Sequence, residues 1–235
     1  MFNFFKTIFS PIIAILDFIT KYFKTIVFLT IIYFIVTPTN ENLTDVNSHA
    51  NLQKIELTGP IMDVSKTLED IQKAKEDKNI KGILFVVNSP GGAVAPSVEL
   101  AYAIKELKEI KPVVVYASGV IASGSYYASI WANKIIANPG SIVGSIGVIM
   151  QGVNAEELMS KIGVSTQTVK AGKFKESGTP TRKWFDYEEK QLQSVIDDTY
   201  NMFINDVAGA RNLDIKNHTL FADAKIFTAK QAKEV

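Results

Sequence analysis

The chain has 235 residues, of which 47% are hydrophobic and 21% charged, with a formal net charge of +1. That balance argues against a disordered chain and against a nucleic-acid binder, and the absence of cysteine excludes disulfides and thiolate metal sites. What remains is one soluble domain behind an apolar N-terminal region.

The run Thr25, Ile26, Val27, Phe28, Leu29, Thr30, Ile31, Ile32, Tyr33, Phe34, Ile35, Val36 is uncharged. Extended back through Tyr22 and Phe23, with Lys24 snorkelling, it gives about 16 residues, slightly short of a full span. The expectation is an uncleaved signal anchor over residues 1–37, since no small-x-small cleavage site follows directly; a cleaved signal peptide is the alternative. Lys6, Lys21 and Lys24 precede the span, and Glu41 and Asp45 follow it. The positive-inside rule therefore places the N-terminus in the cytoplasm and the later domain outside. Residues 2–19, broken by Lys6, Pro11 and Asp17, read as an interfacial helix, or as a second span that would return the domain to the cytoplasm. Residues 38–52 read as a linker, and 53–235 as the folded domain.

Within that domain, short apolar runs alternate with amphipathic helices. A strand is expected over 55–57, closed by Gly59 and Pro60, and then a helix carrying Leu68, Ile71 and Ala74. The unbroken apolar run at 82–87 is what a sheet covered on both faces requires. After NSPGG at 88–92 comes a helix with Val98, Ala101, Ile104 and Leu107 on one stripe. Further strands are expected at 113–116, 134–137 and 143–149. This pattern predicts an α/β domain with parallel strands and right-handed crossovers. A long helix with Phe185, Leu192, Val195, Ile196, Met202, Phe203 and Val207 on one face reads as a core and subunit-packing helix, with Glu188 and Glu189 on other faces.

Two loops carry the chemistry. Ser123 stands between the 113–116 strand and a helical pattern, where its hydroxyl would lie at the end of the sheet and the Gly124 amide near a helix N-terminus. The plain alternative is small residues packing at a helix start. Gly91 and Gly92 follow another buried strand, and can turn amides into a cleft without Cβ obstruction, unless they form only a tight turn. A serine nucleophile needs a base, and the two histidines, His49 and His218, lie in no strand-end loop. A buried, neutral lysine is the other option, and Lys170, Lys173 and Lys175 remain open candidates. An extended backbone there would put Lys173 and Lys175 on the same side.

Four stretches, NSPGG at 88–92, ASGSYYAS at 122–129, ANPGSIVGSIGVI at 137–149 and GKFKESGTPTR at 172–182, resemble in order and spacing those of the signal peptide peptidase A (SppA) family. These are membrane-anchored serine proteases with the Clp-protease/crotonase fold. The resemblance runs from about residue 53 to the end. It implies a repeated ββα superhelix behind a transmembrane helix, with Ser123 as nucleophile and Lys175 as general base. It also implies an oxyanion hole from the Gly91, Gly92 and Gly124 amides, with Ser145 as a hydroxyl that orients the lysine. No cofactor or metal is implied. The expected partners are signal peptides or other membrane-derived peptides, membrane lipid, and further copies of the chain. Those copies would form a ring or dome in which serine and lysine meet across a subunit boundary. The implied location is the bacterial cytoplasmic membrane, single-pass, with the catalytic domain on the outer side.

The alternatives are a crotonase-like acyl-CoA enzyme and an inactive membrane scaffold. Three departures from the family pattern stand out. Ser125 replaces a glycine, with a slightly narrower cleft or an added hydroxyl as the expected result. Ala224 and Ala229 also stand where glycine is usual. The sequence stops at Val235, where the family continues, so truncation is expected.

Overall fold

The computed structural model describes residues 17–33 and 51–235. Residues 17–33 form a helix, α1, with Phe18, Phe23, Phe28 and Leu29 exposed along it. Among the described residues no helix is long and apolar enough to cross a membrane. The expected span continues through Phe34, Ile35 and Val36, which lie outside the described residues, as do residues 1–16 and nearly all of the linker. Leu52, assigned to that linker, already belongs to the first strand.

The domain from residue 51 is built on a sheet ordered β1-β2-β3-β5-β6, with β4 also paired to β3. β1 (Leu52–Thr58), β2 (Gly82–Ser89) and β3 (Val113–Ala122) run parallel, linked by the helices α2 (Ser65–Glu76) and α3 (Val94–Lys108). The ten-residue β3 is the axis of the sheet. Its first half pairs with β4 (Lys134–Ala137) and its last three residues with β5 (Ile142–Gly144), both parallel.

β6 (Ile226–Thr228) runs antiparallel to β5, unlike the all-parallel sheet expected. After the short helices α4 (Gly124–Ser129) and α5 (Glu156–Lys161) the chain forms the long helix α6 (Asp186–Arg211) and the short α7 (His218–Phe221); β6 follows these and not a strand-helix repeat, so no crossover fixes its direction. The strand expected over 143–149 is also shorter, because Ser145 has φ 51° and turns the chain out of the sheet.

The alternation of β-branched and aromatic residues explains the core. Ile55, Phe85, Val87, Val113 and Val115 are almost fully buried between the sheet and α2 and α3. Each such side chain contributes about 1.5–3 kcal/mol. α3 packs two ways: Leu100, Ile104 and Leu107 join that core, and Ala101 joins a second one with Tyr127, Ile130, Phe203, Ile204 and Val207. The second core draws on the C-terminal half of α6. In the other half Val195 is 46% exposed, so the apolar stripe read from the sequence is only partly used within the chain. Glu188, placed by the sequence on a face other than the apolar stripe, is fully buried.

Candidate functional site

β3 hands directly to α4 (Gly124–Ser129), and Ser123 is the single residue between them, at φ 53° and ψ −126°. A non-glycine residue avoids positive φ unless its surroundings impose it. Here the Ser123 N–H donates to the Gly144 carbonyl at 2.8 Å, and its carbonyl accepts the Tyr127 N–H at 3.0 Å. Both backbone groups are therefore held from opposite sides.

Beneath it sits Ser125. Its buried hydroxyl donates to the Ser89 carbonyl at 2.6 Å and accepts the Ala122 N–H at 2.9 Å. Of the two expected results, a narrower cleft or an added hydroxyl, the second is seen: the hydroxyl points into the protein and ties the end of β2 to the end of β3.

The glycine loop meets this junction. Gly92 forms a parallel bridge with Ile61, which donates to the Gly91 carbonyl at 2.9 Å and accepts the Ala93 N–H at 2.8 Å. A Cβ on Gly92 would come within 2.1 Å of the Ile61 oxygen, and one on Gly124 would lie 2.2 Å from Ser97 Oγ and 3.3 Å from the Gly92 nitrogen. Only glycine allows these two segments to approach so closely. The two loops thus converge, with the Gly92 and Gly124 amides side by side next to Ser123.

The Gly91 amide differs, because it donates to Ser89 Oγ at 3.2 Å. The Gly124 amide opens α4 and has no intrahelical acceptor, and that of Gly92 makes no hydrogen bond among the described residues. Two donors are therefore free.

The cavity over them measures about 90 Å³. Its floor is Gly92, Ser123 and Gly124, and its walls are Val98 from α3, Tyr127 from α4, Val148 and Ile149 after β5, and Met202 and Phe203 from α6. Met202 and Phe203, read from the sequence as packing residues, turn out to line the cleft. Tyr127 is held there by a short hydrogen bond to Asp206 and by edge-on packing with Phe203. Burial, and then that bond, push its phenol well above the usual tyrosine range. A larger hollow, about 520 Å³, is bordered by Tyr126, Val143, Phe227 and Ala232 and contains none of the candidate residues.

None of the candidate bases lines this cleft. Ser123 Oγ makes no hydrogen bond among the described residues. His218 packs edge-on against Tyr200 with its Nδ1 3.2 Å from the Ile215 carbonyl, and His49 lies outside the described residues. The three lysines sit around a run of turns that begins at Gly172 (φ 96°) and ends at Gly178 (φ 86°). The Lys175 N–H donates to Gly172 at 3.2 Å and the Ser177 N–H to Phe174 at 3.1 Å. The segment is therefore coiled, not extended, and Lys173 and Lys175 do not share a side as expected.

Their environments differ in consequence. Lys170 is paired with Glu176 at 2.9 Å, which holds its ammonium above the ordinary lysine range. Lys173 lies over the Tyr187 ring, 4.5 Å from its centre. Lys175 is exposed, and its amine makes no hydrogen bond or ion pair among the described residues. Ser145 is half-buried after β5, with its N–H on the Lys225 carbonyl at 2.7 Å, and is not part of the cleft wall.

A mostly parallel sheet ending in a strained serine beside two free glycine amides is an arrangement suited to acyl transfer once a base is supplied. Residues 105–235 match the model of peptidase family S49. The chain belongs to that family. It is 47% identical over 169 residues to a candidate protease of Methanocaldococcus jannaschii, covering 72% of this chain and 53% of the relative. It is 34% identical over 210 residues to a candidate signal peptide peptidase SppA of Enterococcus faecium, covering 83% and 61%. The chain thus spans between half and two thirds of these relatives' length. Among solved structures it is similar to the 1510-N membrane-bound stomatin-specific protease, with a TM-score of 0.50 and 16% identity, covering 78% of this chain and 75% of that one. That likeness concerns the fold alone.

Sequence reasoning missed the cluster that organises the lysine segment. Arg182 donates to both carboxylate oxygens of Glu188 at 2.8 Å, and Glu188 also accepts the Phe185 N–H at 2.9 Å. The available signal was Glu188 three residues after Phe185, which caps α6, where a carboxylate closes the first turn.

Proposed function

We propose that the chain is a membrane-tethered serine endopeptidase in which Ser123 attacks a peptide carbonyl and Lys175 of a neighbouring subunit is the general base. The observation that carries this reading is Ser123 Oγ, held at positive φ beside the free Gly92 and Gly124 amides and without a base from its own chain among the described residues. A lysine takes a proton only where a water-poor setting favours its neutral form. Covering the exposed 172–178 turn with a second subunit would supply one. Lys175 would then accept the Ser123 proton as the Ser123 oxygen bonds to the substrate carbonyl carbon. The two glycine amides would bind the resulting oxyanion. Collapse expels the amine, protonated by Lys175, and water hydrolyses the acyl-enzyme.

The apolar wall of Val98, Tyr127, Ile149, Met202 and Phe203 supports apolar peptides as substrates. Signal peptides left in a membrane are such peptides. An anchor built from α1 and the residues after it would keep the domain next to them, on the outer face of the bacterial cytoplasmic membrane. The exposed Val195 on α6 suits the packing of copies into a ring or dome. On this reading the domain is the repeated ββα superhelix of that family, and Ser145 orients the lysine at the subunit boundary.

The test is hydrolysis of an apolar fluorogenic peptide by the full chain in detergent. Ser123→Ala and Lys175→Ala are each expected to lose activity about 10³-fold or more. Co-expressing the two variants is expected to restore part of it, because some boundaries then join an intact serine to an intact lysine. Activity that survives Lys175→Ala but not Lys173→Ala would move the base by two positions, and a mixture that stays inactive would place the base within one subunit. Failure of a fluorophosphonate to label Ser123 would favour a scaffold. Acyl-CoA turnover surviving Ser123→Ala would favour a crotonase-like enzyme.

A further inference from the structure

Glu176 follows Lys175 in the chain, and a carboxylate so near an ammonium would ordinarily pair with it. Instead both of its ionic partners lie elsewhere. Its Oε2 is 2.9 Å from Lys170 Nζ and 3.2 Å from Arg182 Nη2. Those two contacts, Lys170 first, hold the Glu176 carboxyl below the usual carboxylate range. Arg182 is itself fixed by its two-pronged bond to the fully buried Glu188.

The 172–178 turn is anchored on its other flank as well. Tyr187 donates to the Lys173 carbonyl at 3.5 Å, and its ring packs edge-on against Phe174 at 5.4 Å. Among the described residues, the charged and titratable groups seen in contact with one another at the turn are Lys170, Lys173, Glu176, Arg182, Tyr187 and Glu188. Asp186, Glu189 and Lys190 open the neighbouring helix, and none of them pairs with Lys175, which stands without a partner among the described residues.

We propose that Lys170 and Arg182 are positioning residues that sequester the Glu176 carboxylate, so that the Lys175 amine stays unpaired and free to reach Ser123 of a neighbouring subunit. This rests on the reading of Lys175 as general base. A carboxylate within a few ångströms stabilises an ammonium, and a base that must be neutral loses its working fraction when so paired. Arg182, locked by Glu188, is the permanent half of the trap, and the partly exposed Lys170 is the half that can be removed without leaving Glu188 unpaired.

The experiment measures kcat/KM against pH for the full chain in detergent, in wild type, Lys170→Met, Glu176→Gln and the double variant. In Lys170→Met the acidic limb is expected to move up by about 0.5–1 pH unit, with KM unchanged on the plateau. Activity at pH 7 then falls about three- to tenfold, and adding Glu176→Gln returns the limb to its wild-type position. Glu176→Gln alone is expected not to move it upward. A merely structural role would lower the plateau, and a second substitution would not rescue it. A limb unmoved in Lys170→Met, a shift persisting in the double variant, or an upward shift in Glu176→Gln overturns the proposal. Lys175→Ala, run alongside, separates the two levels. If it is inactive, such results sink only the sequestration. If it is active, the general-base reading fails and the sequestration with it.

Discussion

The Ser123 junction and the 172–178 turn hold the two halves of the proposed chemistry, and they are built in opposite ways. At the junction the neighbours are buried, and backbone groups of Gly144, Tyr127 and Ser89 together with the buried Ser125 hydroxyl do the holding. At the turn the surface is exposed and side-chain charges do the holding, through Lys170, Glu176, Arg182 and Glu188. The contrast follows from what each must achieve. A nucleophile and its oxyanion donors need fixed relative positions, which close backbone packing supplies. A base that completes its site against another subunit must remain accessible until assembly.

That contrast can be broken most sharply at Gly92. Gly92→Ala places a Cβ 2.1 Å from the Ile61 oxygen and must displace the amide beside Ser123. Peptide hydrolysis is expected to fall about 10²- to 10³-fold, as when an oxyanion donor is lost. Loss of activity in step with loss of folded protein on thermal melting would instead make Gly92 a packing residue only.

At the turn the corresponding test is acid. Arg182 holds Glu188 down to about 2 from an ordinary 4.5. Because the folded value is the lower, the stability it contributes is fully present above about pH 4.5 and is lost as pH falls towards 2. Wild type is therefore expected to lose melting temperature steeply across that window. Glu188→Gln should start lower at neutral pH and lose less over the same range. Parallel curves for the two proteins would remove Glu188 from the account.

Ser125→Ala sharpens the comparison from the buried side. It strips the Ser89 carbonyl and the Ala122 N–H of their shared hydroxyl and is expected to cost about 1–3 kcal/mol in denaturant unfolding. The smallest effect is a gain. Ala224 has φ 54°, a conformation that suits glycine, so Ala224→Gly is expected to stabilise by about 0.5–1 kcal/mol. A loss there would mean that the Ala224 methyl, packed towards Gly147, matters more than the backbone strain.

Much of the junction was legible in the sequence because it is local. A β-branched run, a small-residue break and a helical pattern put Ser123 at the end of β3, and the two glycines after β2 marked the matching loop. For Ser125 the sequence left a narrower cleft and an added hydroxyl both open, because whether a hydroxyl faces the cleft or the sheet depends on β2, 36 residues away. Phe203 packs in the second core as the stripe implied, but that it and Met202 also border the cleft was not legible, since a stripe on a helix does not say which part of it reaches a cavity. For the lysine segment the sequence left the backbone open, and only the structure shows that its two positive-φ glycines bound a set of turns.

The amino-acid order alone determined the alternation of strands and helices, the placing of Ser123 and the glycines at strand ends, and the family resemblance, because periodicity and turn residues act over a few positions. Only the tertiary structure decided which amides are left free, which side chains wall the cleft, that Glu188 is buried, and that Lys175 stands apart from its charged neighbours. Those outcomes depend on which distant segments compete for the same hydrogen-bonding groups and charges, and that competition is resolved only when the chain is folded.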